Sequence, residues 1–218
     1  MLIVLEGPEA VGKSTQLRRL EAWLRESKID VISVREPGGT PAGDEIRHIL
    51  LHAPSTLSAR TEALLFMASR AELVDLVIRP ALAKQTVVLV DRFFLSTYAY
   101  QIVGRGLEEA DVRAANHLAT DGLVPTVTLL LRLPLAESLG RLERRKAGPD
   151  RIERSSREFH ERVAGAFDTF GTTAWQATHP ECGPIRSIDA TGSEQQVLDR
   201  LRAAVVDVWT GSFPGSRP

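Results

Sequence analysis

The sequence predicts an α/β domain built on a mainly five-stranded parallel sheet flanked by helices. Three observations predict it. Short apolar runs of strand length recur along the chain, stretches with helical spacing separate them, and the runs are apolar throughout instead of alternating. A strand buried on both faces reads in this way, because neither face meets water.

Leu2 to Leu5 is the first such run, ending at Glu6 and Gly7. Lys13 to Glu26 follows, with Leu17, Leu20 and Leu24 on one helical face. Val31 to Val34 is the second strand, stopped by Glu36-Pro37-Gly38-Gly39. Thr61 to Leu82 reads as a long, largely apolar helix with Arg70, Glu72 and Asp75 interspersed. Thr86 to Val90 is the third strand and runs into Asp91-Arg92. Val127 to Leu131 is the fourth, before a helix from about Leu135 to Lys146. Ile185 to Ile188 is a short fifth strand, followed by a terminal helix over Glu194 to Trp209. No internal repeat or long linker interrupts this order. A single domain over residues 1–211 is expected, with a frayed tail over 212–218.

Two segments break the alternation. Arg35 to Arg47 is rich in Gly and Pro. Arg141 to Arg157 holds seven basic and three acidic residues, with Gly148-Pro149 at its centre. A basic, hinged loop in a neutral chain is expected to be a short mobile lid.

Composition excludes several classes of function. Apolar residues make up 43% and charged residues 25% of the chain, which argues against global disorder. Twenty-seven basic and 28 acidic residues leave a formal charge of −1, so no nucleic-acid partner is expected. The single cysteine, Cys182, excludes an internal disulfide and a multi-cysteine zinc site, and points to a reducing, cytoplasmic setting. No apolar run reaches bilayer length, so no membrane partner is expected. The opening Met1-Leu2-Ile3-Val4-Leu5 lacks the basic start of a signal peptide. The histidines at 48, 52, 117, 160 and 179 form no ligand-like cluster.

One motif carries chemistry. Gly7-Pro8-Glu9-Ala10-Val11-Gly12-Lys13-Ser14 fits G-x-x-x-x-G-K-[ST], with a buried strand before it and a helix after it. Glycines let the backbone curl so that its N–H groups surround phosphate oxygens. The following helix adds its open N-terminal amides and positive dipole end. Lys13 reaches the β and γ phosphates, and the Ser14 hydroxyl suits Mg²⁺. The expected architecture is therefore a three-layer P-loop NTPase fold. The guanine-reading N-K-x-D of a GTPase switch is missing from the sequence, and motors usually carry more chain. Small size and a basic lid favour phosphoryl transfer to a small acceptor.

Four segments together resemble the bacterial thymidylate kinase family: the P-loop with its acidic Glu9, Arg35-Glu36-Pro37-Gly38-Gly39-Thr40, the run Asp91 to Gln101, and Asp150-Arg151-Ile152-Glu153. The resemblance extends from about Leu2 to Ala190 and implies ATP- and Mg²⁺-dependent phosphorylation of dTMP by a homodimer. A kinase for another nucleoside monophosphate and a non-catalytic nucleotide-binding module are the alternatives.

The resemblance also implies roles. Residues 7–14 with Thr15 hold the donor, and Ser14 and Asp91 hold the metal. Arg47 and Arg92 bind the acceptor phosphate, with Lys13 and Arg92 on the charge that develops during transfer. Glu36 and Pro37 border the acceptor, and Glu36-Pro37 is a candidate cis peptide. Phe66 stacks on thymine while Arg70, four residues on, donates to its O4. Ser96, Thr97 and Gln101 line the base pocket, Tyr100 crowds the sugar C2′, and Glu9 accepts from the 3′-OH. Read without the resemblance, Phe66 is a core residue, Asp91 and Arg92 form a salt bridge, and Glu9 is an exposed loop carboxylate. The P-loop positions Pro8 to Val11 contain no Arg, so a lid cation is needed between the phosphates. Arg151 is the first choice, ahead of Arg144, Arg145 and Arg154, whose other reading is a wet basic face.

Three departures from the family pattern stand out. Phe93 replaces a Tyr or His, losing a polar atom beside the phosphates. Arg132 stands where relatives have Asp, altering charge near the lid. Ala10 replaces a Gly and is tolerated if its φ is negative.

Overall fold

The computed structural model describes residues 1–53, 56–134, 137–138, 140–141 and 151–209. Five parallel strands form one sheet: β1 (Leu2–Glu6), β2 (Val31–Arg35), β3 (Val87–Asp91), β4 (Val127–Arg132) and β5 (Ile185–Asp189), in the order β2-β3-β1-β4-β5. This bears out the expected α/β class. β1 lies between β3 and β4, with Leu5 opposite Asp91 and Leu129. The first and third strands therefore end side by side, which brings the P-loop next to Asp91-Arg92.

Side chains alternate across a strand, so β1 feeds two cores. Leu2 and Val4 join Val88, Val90 and Leu130 in one apolar cluster. Ile3 and Leu5 join Leu89, Leu129 and Leu131 in the other. The second cluster is covered by α1 (Lys13–Glu26), through Leu17, Leu20 and Leu24, and by the terminal helix Glu194–Val208. The remaining helices lie on the side of the first, all but α6 contributing side chains to it. These are α2 (Pro41–His52), α3 (Ala59–Leu73), α4 (Arg79–Ala83), α5 (Phe94–Thr97), α6 (Glu109–Thr120), α7 (Arg157–Phe170) and α8 (Thr173–Thr178); the terminal helix is α9.

Local chemistry starts these helices. Thr40 caps α2 by accepting from Gly43 N–H, with Pro41 in the first turn. Ser58 caps α3, Ser156 caps α7, and Ser193 makes a capping box with Gln196 at α9. The predicted helix over 61–82 is a continuous helical run, but Val74–Ile78 winds as a π-helical turn between α3 and α4. A second π-helical stretch, Tyr98–Gly104, continues α5. The helix expected over 135–146 is helical at residues 137–138 and 140–141, while 142–150 lie outside the described residues. Arg144, Arg145, Asp150, Gly148-Pro149 and the tail at 212–218 therefore also lie outside them. No helix among the described residues is long and apolar enough to cross a membrane.

Two P-loop positions have defined backbone demands. Gly7 has φ 141°, and a Cβ there would stand 2.6 Å from the Leu131 carbonyl oxygen, so β4 excludes any side chain. Ala10 has φ 56°, so the condition under which it would replace Gly at no cost, a negative φ, is not met. Its Cβ crowds the following carbonyl in this left-handed region, at a cost of roughly 1–2 kcal/mol. Ala10→Gly is therefore expected to stabilise the protein by about 0.5–1 kcal/mol, net of the extra chain entropy of glycine. Urea unfolding measures this, and a lower midpoint would show that Ala10 is not held at positive φ.

Candidate active site

A cavity of about 680 Å³ opens above the carboxyl ends of β1, β2 and β3, where open α/β sheets place ligands. One part is the P-loop and the start of α1: Ala10, Gly12, Lys13, Ser14 and Thr15 line it. Another carries Phe66, Arg70, Thr97, Tyr100 and Gln101. Arg47, Asp91, Arg92, Ser96, Glu9, Glu36 and Pro37 complete the predicted set. Gly7, Pro8, Val11 and Arg151 do not line the cavity. Gly7 packs on Leu131, and Val11 is buried in the α1-side core.

The P-loop curls as expected. Gly12, at φ 99°, precedes α1 and supplies no side-chain cap, which leaves the first amides of the helix open for an anion. Lys13 Nζ donates to the carbonyls of Gly7 at 2.9 Å and Pro8 at 2.7 Å. Burial, helped by the nearby Arg92 charge, pulls its pKa down to about 8. Ser14 Oγ donates to Asp91 Oδ2 at 2.7 Å. A hydroxyl and a carboxylate so placed are hard oxygen donors at the cavity wall, the donor chemistry that Mg²⁺ takes while keeping several waters.

Arg92 follows β3 in a left-handed conformation, φ 71°, an arrangement that persists where the surroundings over-determine it. Its Nη2 pairs with Glu9 Oε1 at 2.5 Å and its Nη1 donates to Ser96 Oγ at 3.1 Å. The alternative reading of the pair, a salt bridge between Asp91 and Arg92, is not what forms: Asp91 accepts from Ser14, and Arg92 pairs with Glu9. Burial is the largest influence on Arg92 and opposes its charge, but Glu9, Tyr100, Asp91 and Glu6 together outweigh it and hold the guanidinium pKa above its ordinary value. Glu9 is held in the cavity wall, since Tyr100 Oη also donates to its Oε1 at 2.7 Å. Burial raises the Tyr100 phenol well above its ordinary range, so it remains a donor.

Phe66 is half-buried and lines the cavity while packing against the first core, so its two readings are compatible. Arg70 is buried and fully engaged. Its Nε donates to both Glu36 oxygens at 3.0 and 2.8 Å, and its Nη2 to Glu36 and to Phe93 O. Its Nη1 donates to Thr97 Oγ1 at 3.0 Å and Asn116 Oδ1 at 2.5 Å. Each N–H of the guanidinium has a protein partner, so a base carbonyl would share an Nη1 hydrogen with Thr97. Glu36 belongs to the cis Glu36–Pro37 turn, and the next residue, Gly38, is tied to α3 through Ser69 Oγ at 2.9 Å. Arg47 Nη1 donates to Pro37 O at 2.9 Å.

Several expectations are corrected. Phe93 does not line the cavity; its ring is fully buried, 4.7 Å from the Arg70 guanidinium carbon. The departure at Arg132 calls for no correction: the side chain is exposed and pairs with Asp168 at 2.6 Å. Arg151 is not brought to the phosphate end. Its Nε donates to Leu50 O and its Nη2 to Glu62 at 2.7 Å. Arg154 is exposed. Arg141 lines the cavity instead, with Nη1 3.9 Å from where a Cβ on Gly12 would stand.

Sequence reasoning missed Glu6. This wholly buried carboxylate accepts from Phe93 N–H at 2.7 Å, Ser96 N–H at 3.0 Å and Ser96 Oγ at 2.7 Å. It thereby caps the turn that carries Arg92. The available signal was a lone Glu closing an apolar strand.

Comparison with known proteins agrees with this geometry. Residues 5–181 match the family model described as Thymidylate kinase. The chain is 45% identical over 205 residues, 94% of each chain, to "Thymidylate kinase" of Synechococcus sp. (strain JA-2-3B'a(2-13)). It is 42% identical over 208 residues, again 94% of each, to that of Thermomicrobium roseum. Over 167 residues, 77% of this chain and 79% of the other, it is 46% identical to that of Clavibacter sepedonicus.

The depressed Lys13 pKa has a measurable result. A bound polyphosphate restores the ammonium, so the protein should take up part of a proton on binding a nucleoside triphosphate at about pH 8.5. Affinity then falls as pH rises above about 8, because the neutral amine must first be protonated. Calorimetry in buffers of different ionisation enthalpy reads the uptake; zero uptake contradicts the assignment.

Proposed function

This chain belongs to the thymidylate kinase family, and from that membership we propose that it transfers the γ-phosphoryl group of ATP to dTMP. The products are ADP and dTDP; one P–O bond to the ADP leaving oxygen breaks as one to a dTMP phosphate oxygen forms. The supporting observation is that a single cavity is lined both by a P-loop and by an aromatic-plus-arginine base pocket. The two chemistries suit two nucleotides lying end to end.

At neutral pH the acceptor oxygen is already anionic, so no strong base is needed, and direct in-line transfer depends on alignment and charge neutralisation. Lys13 and the α1 amides hold the donor phosphates. Ser14 and Asp91 would hold Mg²⁺, whose chemistry is neutralisation of phosphate charge. Arg92, flanked by Arg47, takes the acceptor phosphate and the charge that develops on it; Glu9 now occupies its Nη2 and yields that face to phosphate. The base lies on Phe66, with Arg70 and Thr97 presenting hydrogens toward a carbonyl. Such donors accept O4 of thymine and repel the amino group of cytosine. The Tyr100–Glu9 pair suits a sugar with a 3′-OH and no 2′-OH. Among the described residues, Arg141 is better placed than Arg151 to supply a cation near the donor phosphates. We further propose a cytoplasmic homodimer that pairs through the α3 face exposing Leu64 and the neighbouring Leu76.

A panel of nucleoside monophosphates, assayed for ADP release with ATP and Mg²⁺, tests the reading. dTMP is expected to give the highest kcat/KM. Faster turnover of another monophosphate would assign a different acceptor, and ADP release independent of any acceptor would leave a nucleotide-binding module. Arg92→Ala is expected to lower kcat by about 10²–10³-fold, the usual effect of deleting one donor to developing charge; near-native kcat would remove that role.

A further inference from the structure

Glu62 precedes Phe66 by one helical turn and Arg70 by two, yet it does not line the cavity, and its side chain is 1% exposed. A buried carboxylate is costly unless it is paired and hydrogen-bonded. This one receives Arg105 Nε at 3.0 Å and Nη2 at 3.1 Å, Arg151 Nη2 at 2.7 Å, and Gln101 Nε2 at 3.4 Å. Burial pushes its carboxyl up, but hydrogen bonds from the two arginines hold it below the ordinary range. Each partner leads to a different wall of the cavity. Gln101 lines it, and Arg105 closes the π-helical stretch that carries Tyr100. Arg151 reaches the last turn of α2: its Nε donates to Leu50 O at 2.7 Å and its backbone N–H to Leu51 O at 3.2 Å. The next two residues, Ile152 and Glu153, line the cavity.

We propose that Glu62 is a positioning residue for the acceptor. By holding Arg151, it fixes Ile152 and Glu153 as cavity wall and locks that wall to the helices bearing Phe66, Arg70 and Arg47. The proposal rests on the acceptor-kinase reading above. It gives Arg151 the work of an anchor and not of a cation on the transferring phosphate.

The test uses Arg151→Gln, Glu62→Gln and the double variant in the full chain, with steady-state kinetics on dTMP and ATP and with unfolding midpoints. Arg151→Gln keeps the Glu62–Arg105 pair, so it carries the test even if Glu62→Gln fails to fold. It is expected to raise KM for dTMP about tenfold, equivalent to about 1.4 kcal/mol. kcat and KM for ATP should stay within about twofold, a split that marks lost acceptor binding. General destabilisation would reduce the active fraction, and so kcat, without moving KM. Arg151→Lys, which retains a donor for Glu62, should recover part of the loss. The double variant should be no worse than Glu62→Gln alone, because both act on one link. Lower kcat at saturating substrates with KM for dTMP unchanged would overturn the proposal, as would additive effects. A wild-type chain inactive on dTMP would defeat the kinase reading first, before any variant is compared.

Discussion

The acceptor half of the cavity depends on buried carboxylates that must find partners. Glu6, Glu36 and Glu62 are each almost fully buried, and each holds a different piece of the site. Glu6 caps the turn bearing Arg92, Glu36 clamps Arg70, and Glu62 collects Arg105 and Arg151. A buried charge left alone is penalised by several kcal/mol, so these contacts leave the arginines few alternative rotamers. Arg70 and Arg92 thereby line the cavity in positions set before any ligand arrives, and Arg105 and Arg151 brace the wall behind it, which lowers the cost of binding.

The donor half follows from strand order. β1 and β3 are neighbours and end together, so the loop after one meets the dipeptide after the other. Ser14 and Asp91, 77 residues apart, then lie in hydrogen-bond contact. Glu9 and Arg92 meet by the same geometry, and their ion pair sits where the two halves of the cavity join. Acceptor phosphate and Glu9 compete for one guanidinium. The P-loop carboxylate thereby directs the Arg92 side chain until a better anion takes its place.

Much of this was legible in the sequence. All five strands lie within a residue or two of the apolar runs, and α1 spans Lys13–Glu26 as its leucine spacing indicates. Apolar period and the P-loop motif are local signals, and they predicted local structure. What stayed hidden is of two kinds. Backbone conformation without a side-chain signature was not readable: the positive φ of Ala10, and the π-helical turns at Val74–Ile78 and Tyr98–Gly104, leave no periodic trace. Long-range polar pairing was the other. Arg151 sits within a family motif in a basic loop, which favours a catalytic reading, yet its partner Glu62 is 89 residues away. Phe93 shows the same limit: its buried ring lies 4.7 Å from the Arg70 guanidinium carbon, a contact between two separate elements that no local pattern announces.

The proposed function requires one cavity to seat two nucleotides, with the pyrimidine of the acceptor on Phe66 and its phosphate at Arg92. A crystal structure with ADP and dTMP bound together tests it most directly. Thymine density is expected against the Phe66 ring, with O4 toward Arg70 and Thr97, and the dTMP phosphate on Arg92 in place of Glu9. Thymine density elsewhere, or an Arg92–Glu9 pair left intact beside bound dTMP, would contradict it.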